Sequence, residues 1–323
     1  MRAITFYEYG SPDVLKREER PIPTPGPGQV LVRVRACALN AADWHLLRAD
    51  PFLARLALGL FKPRHNVLGC DLAGVVTAVG AGVTRLEAGD EVMGELGSSG
   101  WGAFAEYVCA PEGVLTPKPA NLGFDQAAAA PLAGVTALQG LRRVGGLRAG
   151  ESVLVNGASG GVGTFAVQLA KALGAKVTAV CSARNHALAR SLGADDVIDY
   201  VKEDFTRGSR RYDLILAANG YHPLSDYKRA LAPGGRYVMT GGAGKQMAAA
   251  LLLGPLSSLG SGKRLGYLAM KSNLEDLELL RDRLADGSVR SVIDRTYPLE
   301  ELPRALAYLE EGHARGKVVI QVA

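Results

Sequence analysis

Residues 153–163 read Val153-Leu154-Val155-Asn156-Gly157-Ala158-Ser159-Gly160-Gly161-Val162-Gly163. A strand-like apolar run enters a glycine turn, and an amphipathic helix follows it. Val162, Phe165, Ala166, Leu169, Ala170 and Leu173 fall at i, i+3, i+4, i+7, i+8 and i+11, one apolar helical face. Gly174-Ala175 ends that helix, and Lys176-Val177-Thr178-Ala179-Val180-Cys181 supplies the next strand. A β-turn-α-β unit of about 30 residues with this punctuation receives the pyrophosphate of a dinucleotide on backbone N–H groups at a helix N-terminus. Its core is Ala-x-Gly-x-x-Gly, with Ala158 where the usual fingerprint has its first glycine.

Outward from this unit, the chain divides by character. Residues 29–36 alternate after the turn Pro25-Gly26-Pro27-Gly28, as a half-buried strand does. Short strands at 74–80, 90–94 and 103–108 follow between glycine turns, and Pro117, Pro119 and Asn121 mark a boundary. From about Asp125 helical patterns appear at 126–130 and 135–143. Strands and helices then alternate: strands at 197–200, 212–217 and 236–240, a helix near 224–231, and a turn at Gly234-Gly235. Such alternation predicts a doubly wound parallel sheet. A helix at 274–284, strands at 293–298 and 317–322 and a helix at 302–310 close the chain.

Bulk properties narrow the function. At 323 residues the chain has room for two domains. Its net charge of +5 comes from basic and acidic residues spread along its length, with no basic stripe or tail, so nucleic acid is not an expected partner. Cys37, Cys70, Cys109 and Cys181 form no C-x-x-C pair, which leaves neither a zinc ribbon nor a disulfide framework. Residues 1–8 lack the apolar core of a signal peptide, and the most apolar stretch, 248–259, is interrupted by Gly254-Pro255 and too short to cross a bilayer. The expected location is cytoplasmic, with no membrane partner.

The motifs Arg35-Ala36-Cys37-Ala38-Leu39-Asn40-Ala41-Ala42-Asp43, Leu68-Gly69-Cys70-Asp71-Leu72-Ala73-Gly74-Val75-Val76, Ala88-Gly89-Asp90-Glu91-Val92, the glycine loop and Gly312-His313-Ala314-Arg315-Gly316-Lys317-Val318-Val319 stand in one order. In these the chain resembles the medium-chain dehydrogenase/reductase superfamily, and within it the zinc-free quinone oxidoreductase-like branch. The resemblance implies an α/β protein with a GroES-like β-rich catalytic domain, 1–123 and 271–323, and a Rossmann NADP-binding domain, 124–270. It further implies a substrate cleft between them and a homodimer paired edge to edge.

Zinc-dependent members of the superfamily carry a Cys near the Asn40 position, a His-Glu pair after the Gly69 position and a later Cys or Asp. Here Asn40 and Cys70-Asp71 stand instead, no cysteine lies between Cys109 and Cys181, and residues 94–102 hold none of the four cysteines of a structural zinc lobe. No metal is expected. Without a Lewis acid, alcohol dehydrogenation gives way to reduction of an electrophile that needs little activation.

At the end of the second strand of the dinucleotide unit, Val180-Cys181-Ser182-Ala183-Arg184-Asn185 offers no acid for a ribose 2′-hydroxyl, whereas Ser and Arg can donate to a 2′-phosphate. The resemblance assigns that phosphate to Ser182, Arg184 and Tyr200, so NADPH is the expected cofactor. Its cradle is read as Ala158, Ser159, Gly160, Gly161, Val162 and Gly163. Thr136 and Lys317 match family positions that contact nicotinamide or substrate, and Asn219, Gly241 and Gly242 end strands where open α/β sheets bind ligands.

For catalysis the resemblance puts Asn40 near the nicotinamide, as a donor to a carbonyl oxygen, and Asp43 resembles the family's structural acid that orients groups in the cleft. His45, beside Trp44, is the candidate proton source. Apolar segments at 51–62 and 245–265 suit a wall or lid for a small apolar carbonyl or quinone. The expected reaction is zinc-independent, NADPH-dependent hydride transfer to a quinone or an α,β-unsaturated carbonyl (enone, enal or enoyl thioester). The alternatives are a metal-free aldehyde/alcohol dehydrogenase-like reductase and a non-catalytic NADPH-binding redox sensor.

Overall fold

The computed structural model of the chain describes residues 1–50, 52, 55–242 and 244–322. They form two compact units, Met1–Ala133 with Lys271–Ala323, and Gly134–Met270. The N-terminal part of the first unit is β-rich. Strands β1 (Arg2–Thr5) and β2 (Lys16–Glu19) pair antiparallel. β3 (Gln29–Ala38), β4 (Asp71–Val79), β5 (Glu91–Glu95), β6 (Tyr107–Pro111) and β7 (Leu115–Pro117) build a larger sheet. β3 runs two residues past the alternating stretch. Only Arg33 and Arg35 on it are exposed, because Val30, Val32, Val34 and Cys37 enter the core with Phe6, Leu72, Phe104 and Leu115.

Helix α1 (Ala41–Arg48) leaves the end of β3, and α2 is Arg55–Leu58. The segment 51–62 exposes Phe52, Leu56, Leu60 and Phe61; its residues 51, 53 and 54 lie outside the described residues. The strand expected over 103–108 is displaced, beginning only at Tyr107. Trp101 and Gly102 turn through positive φ (60° and 117°). The backbone N–H groups of Ala103 and Phe104 then go to Gly69 and Leu68 carbonyls rather than to a ladder.

Helix α3 (Phe124–Ala128) packs on β3 and β4 and so belongs with the first unit. Helix α4 (Pro131–Gln139), started by Pro131 at a position where its missing N–H costs nothing, carries the chain into the second unit. There β8 (Ser152–Asn156), α5 (Gly161–Ala172), β9 (Lys176–Cys181), α6 (His186–Ser191), β10 (Asp196–Asp199), β11 (Tyr212–Ala217), α7 (Leu224–Ala230), β12 (Leu231–Met239), α8 (Gly244–Leu252), α9 (Gly254–Ser258) and β13 (Arg264–Tyr267) follow. The sheet is wholly parallel, in the order β10-β9-β8-β11-β12-β13. Its direction reverses beside β8, at β11, which is where a doubly wound sheet opens a ligand crevice. Val153, Leu154, Val155, Ile215 and Leu216 are fully buried, as strands covered on both faces require.

Two segments of this unit take shapes that the alternation of strands and helices does not describe. Gly234-Gly235 turns the chain inside β12: pairing with β11 breaks after Leu231, Gly234 takes φ 74°, and the ladder resumes at Arg236, with a register shift between Tyr212 and Leu214. The apolar segment 245–265 forms α8, α9 and the start of β13, burying Gln246 and Ala250 while Leu251, Leu252, Leu253, Leu256 and Leu259 stay exposed.

The chain then returns to the first unit through α10 (Leu274–Ala285), β14 (Ile293–Pro298), α11 (Leu302–Glu310) and β15 (Lys317–Gln321). β15 lies between β14 and β3, pairing antiparallel with β3 through Val319 opposite Ala38. Both ends of the chain thus complete one seven-stranded sheet, β14-β15-β3-β4-β5-β7, with β6 also on β3. The result is a GroES-like β-rich unit and a Rossmann unit, as expected.

Candidate active site

In the second unit the residues proposed for the cofactor gather at one edge, the C-terminal ends of the parallel strands. The turn after β8 carries Gly157 at φ 82°, and a Cβ there would meet Asn219 Cβ at 2.7 Å. The glycine that this turn requires has therefore moved to position 157. Ala158 follows with its methyl fully buried and its N–H donating to Val180 O at 3.1 Å. Gly163 lies against the turn so closely that a Cβ would press on the Gly157 carbonyl oxygen and sit 2.8 Å from Ala158 Cα. Gly160 is the N-cap of α5, no side chain caps that helix among the described residues, and Gly161, Val162 and Gly163 are its first residues. Their N–H groups have no acceptor within the helix, and they fit a pyrophosphate.

The other predicted strand-end positions sit on the same edge. Ser182 follows β9, Tyr200 follows β10 and is 57% exposed, and Arg184 is exposed. Asn219, after β11, accepts from Gly220 N–H at 2.8 Å, and its own N–H and that of Ala218 bond to Asn156 O. Gly241 and Gly242, the latter at φ 117°, follow β12. Thr136 is buried on α4. One residue that the sequence reading passed over joins them: Asn185, buried, donates through Nδ2 to Ser159 Oγ (3.0 Å) and to Ser182 Oγ (3.2 Å).

The first unit holds a separate buried polar cluster where β3, β4 and β15 end together. Ala38 stands opposite both Asp71 and Val319, and Leu39 N–H donates to Val318 O. This register brings Lys317, at the start of β15, to Asn40 just beyond β3. Lys317 Nζ donates to Asn40 Oδ1 at 2.6 Å and to Asp71 Oδ2 at 3.0 Å. Asn40 Nδ2 donates to Asp71 Oδ2 (3.0 Å) and Ala38 O (3.3 Å), so the amide expected to face a substrate carbonyl has both hydrogens engaged. Asp71 Oδ1 accepts from Leu132 N–H at 2.7 Å. Asp71 is fully buried and Lys317 nearly so. Asp71 is thus the hub of the cluster. The sequence signal was a single charge inside the apolar run 68–76, which a strand buried in this way can hold only with a partner.

Asp43 accepts from Asn40 N–H at 2.7 Å, fixing the start of α1. Its other oxygen, Oδ1, has no hydrogen-bond partner. Burial, with the Asp71 charge adding to it, pushes its carboxyl up to about 7, against the pull of Asn40 N–H and the Lys317 charge. Glu95, bonded by Ser272 Oγ and Gly97 N–H, is also pushed up by burial. Between the ordinary value of 3.8 and about 7, folded Asp43 holds a proton that the unfolded chain has lost. Its contribution to stability is therefore full below the ordinary value and falls as pH rises through 7. Unfolding midpoints are expected to drop from about pH 5 to about pH 8 in the parent chain, with a shallower drop in Asp43→Asn. Equal slopes in the two proteins would contradict the assignment.

His45 does not join this cluster. It lies toward the other end of α1, stacked on Trp44 with ring centroids 3.6 Å apart, and Nδ1 meets Asp50 O at 3.0 Å. A carbonyl can only accept, so Nδ1 carries the hydrogen, and burial lowers the ring's tendency to take a second.

Superfamily members that use zinc need three ligands around an open position. Among the described residues no group of three or more His, Cys, Asp or Glu is placed to hold a metal ion. Asp71 already carries an ammonium, and burial raises the Cys70 thiol well above its ordinary value. This donor set does not fit a zinc ion.

A β-rich unit built from both chain ends, with a parallel dinucleotide-binding unit between them, defines a two-unit dehydrogenase/reductase. The family described as "Alcohol dehydrogenase GroES-like domain" matches residues 26–120, and "Zinc-binding dehydrogenase" matches 192–320. The chain is 35% identical to a chloroplast envelope quinone oxidoreductase homolog of Arabidopsis thaliana, over 99% of this chain and 98% of that protein. It is 36% identical to an NADPH-dependent alkenal/one oxidoreductase, chloroplastic, of the same plant, over 99% of this chain and 79% of that protein. Among solved structures, the quinone oxidoreductase from Coxiella burnetii superposes with a TM-score of 0.88 at 33% identity, covering 100% of this chain and 99% of that one. The chain belongs to the medium-chain dehydrogenase/reductase superfamily, in its quinone oxidoreductase-like branch, a family of oxidoreductases.

Proposed function

We propose that this chain is a zinc-independent, NADPH-dependent reductase of quinones or α,β-unsaturated carbonyls. The observation that carries the reading is the buried Lys317 ammonium, held by Asp71 and Asn40 in a cluster whose donor set does not fit a metal. Bound NADPH supplies the hydride, and the acceptor oxygen gains negative charge as the hydride arrives. A fixed cation in a water-poor site stabilises such charge with little reorganisation. Lys317 has three N–H donors, of which Asn40 and Asp71 take two; the third is assigned to the acceptor oxygen. Asn40 acts by orienting that ammonium, and Asp71 by holding both. The uncapped start of α5 and residues 157–163 would hold the pyrophosphate. Ser159, Ser182, Arg184 and Tyr200 would hold the 2′-phosphate, beyond the end of β9, where residues 181–185 include no acid. The relatives named for quinone and alkenal/one reduction support the substrate class.

The test is NADPH oxidation over a panel of 1,4-quinones, 2-alkenals, enones and crotonyl thioesters, before and after dialysis against a metal chelator. Turnover on at least one class, unchanged by the chelator, is expected. Stoichiometric zinc whose removal stops turnover would refute zinc independence. Tight NADPH binding without turnover on any acceptor would make the chain a sensor instead.

A further inference from the structure

We infer that Asn185 is the positioning residue that makes this chain select a 2′-phosphorylated cofactor; the inference rests on the NADPH reading above. Asn185 lies in the short helical turn Ala183–Asn185 after β9, 3% exposed, its N–H bonded to Ser182 O at 2.9 Å. Its side-chain nitrogen has two hydrogens and two acceptors, Ser159 Oγ of the glycine loop and Ser182 Oγ at the end of β9. Each serine oxygen that receives one of these hydrogens keeps its own O–H to donate elsewhere. Both serines are half-buried. Asn185 thus converts two ambivalent hydroxyls into two oriented donors on the edge where the adenosine ribose is expected.

The opposite amide orientation would turn both hydroxyls inward, as donors to Asn185 Oδ1. It would also leave a buried NH2 group without acceptors. In the present orientation only the Oδ1 oxygen is left without a partner. An unpaired carbonyl oxygen costs less than two unpaired N–H donors, so the donor orientation is favoured. A phosphate accepts from two O–H donors through charge-assisted bonds, which are about twice as strong as neutral ones, whereas a ribose hydroxyl gains only the neutral kind. Asn185 itself need not touch the ligand.

The experiment is calorimetric binding of 2′,5′-ADP and of 5′-AMP to the full chain, its Asn185→Ala variant and its Asn185→Asp variant. Asp has the same shape but only accepts, so it turns the hydroxyls inward and adds a repelling charge. The parent is expected to bind 2′,5′-ADP at least about tenfold more tightly than 5′-AMP, with that ratio falling by about tenfold in both variants while 5′-AMP stays within about twofold. A ratio preserved in the variants, or parallel loss of both ligands, would overturn the role of Asn185 and leave the cofactor assignment standing. A parent that binds the two ligands equally would overturn the cofactor assignment first. Should Asn185→Ala unfold, the isosteric Asp variant carries the comparison alone.

Discussion

Lys317→Met is expected to destabilise the first unit by about 3–5 kcal/mol and to lower turnover by at least about a hundredfold. The stability loss follows from Asp71, which is fully buried and would lose the one cationic partner it has among the described residues while keeping its charge. Urea unfolding followed by tryptophan fluorescence measures it, since Trp44 and Trp101 are the chain's two tryptophans and both lie in the first unit. Adding Asp71→Asn separates the two effects. An amide at 71 still accepts from Leu132 N–H and no longer needs a counter-charge, so most of the stability is expected back. Turnover is expected to stay low, because the cation proposed to meet the acceptor oxygen is gone. If Lys317→Met kept full activity, the proposed role of the ammonium would be wrong; if the double variant were no more stable than the single, the pair would not be an ion pair in the sense used above.

Gly163→Val is expected to weaken NADPH binding by about a hundredfold or more, the scale on which displacements of roughly 1 Å act. Any Cβ at this position collides with backbone, the Gly157 carbonyl oxygen and Ala158 Cα, and backbone cannot rotate aside as the tip of a side chain can. Helix α5 must then back away from the turn, carrying its first N–H groups off the pyrophosphate. Gly160→Ala is the control. Its φ of −82° suits alanine, and the nearest atom to its Cβ is Gly157 O at 3.6 Å. It is expected to unfold like the parent. Binding by Gly163→Val as tight as the parent's would show that the cofactor does not depend on this turn.

The parts of the fold that were legible in the sequence are those whose cause is local. The glycine turn and the strands β11 and β14 need only neighbouring residues to define them, and their positions match. Where tertiary contacts decide, the reading slipped. Residues 103–106 look like strand, yet the N–H groups of Ala103, Phe104 and Glu106 are claimed by residues 68–69 and by β1. The two sites divide in the same way. The dinucleotide cradle is written in one contiguous stretch. Asn40, Asp71 and Lys317 are joined only by the registers of three strands, and resemblance, not spacing, brought Asn40 and Lys317 forward. Asp71 was read as a leftover of a metal site, although a lone acid in an apolar run demands a buried partner. Asn185 was invisible because its part is to aim two serines rather than to meet a ligand.

The insertion of β15 beside β3 has a consequence for biosynthesis. On the ribosome the Rossmann strands emerge in full before the final residues are made, so that sheet can close while its neighbour still lacks an interior strand. During that interval Asp71 waits without its ammonium, and the flanks of β3 and β14 remain open to wrong pairing. A nascent chain halted just before residue 317 would carry every strand of the parallel sheet but a β-rich sheet still missing β15.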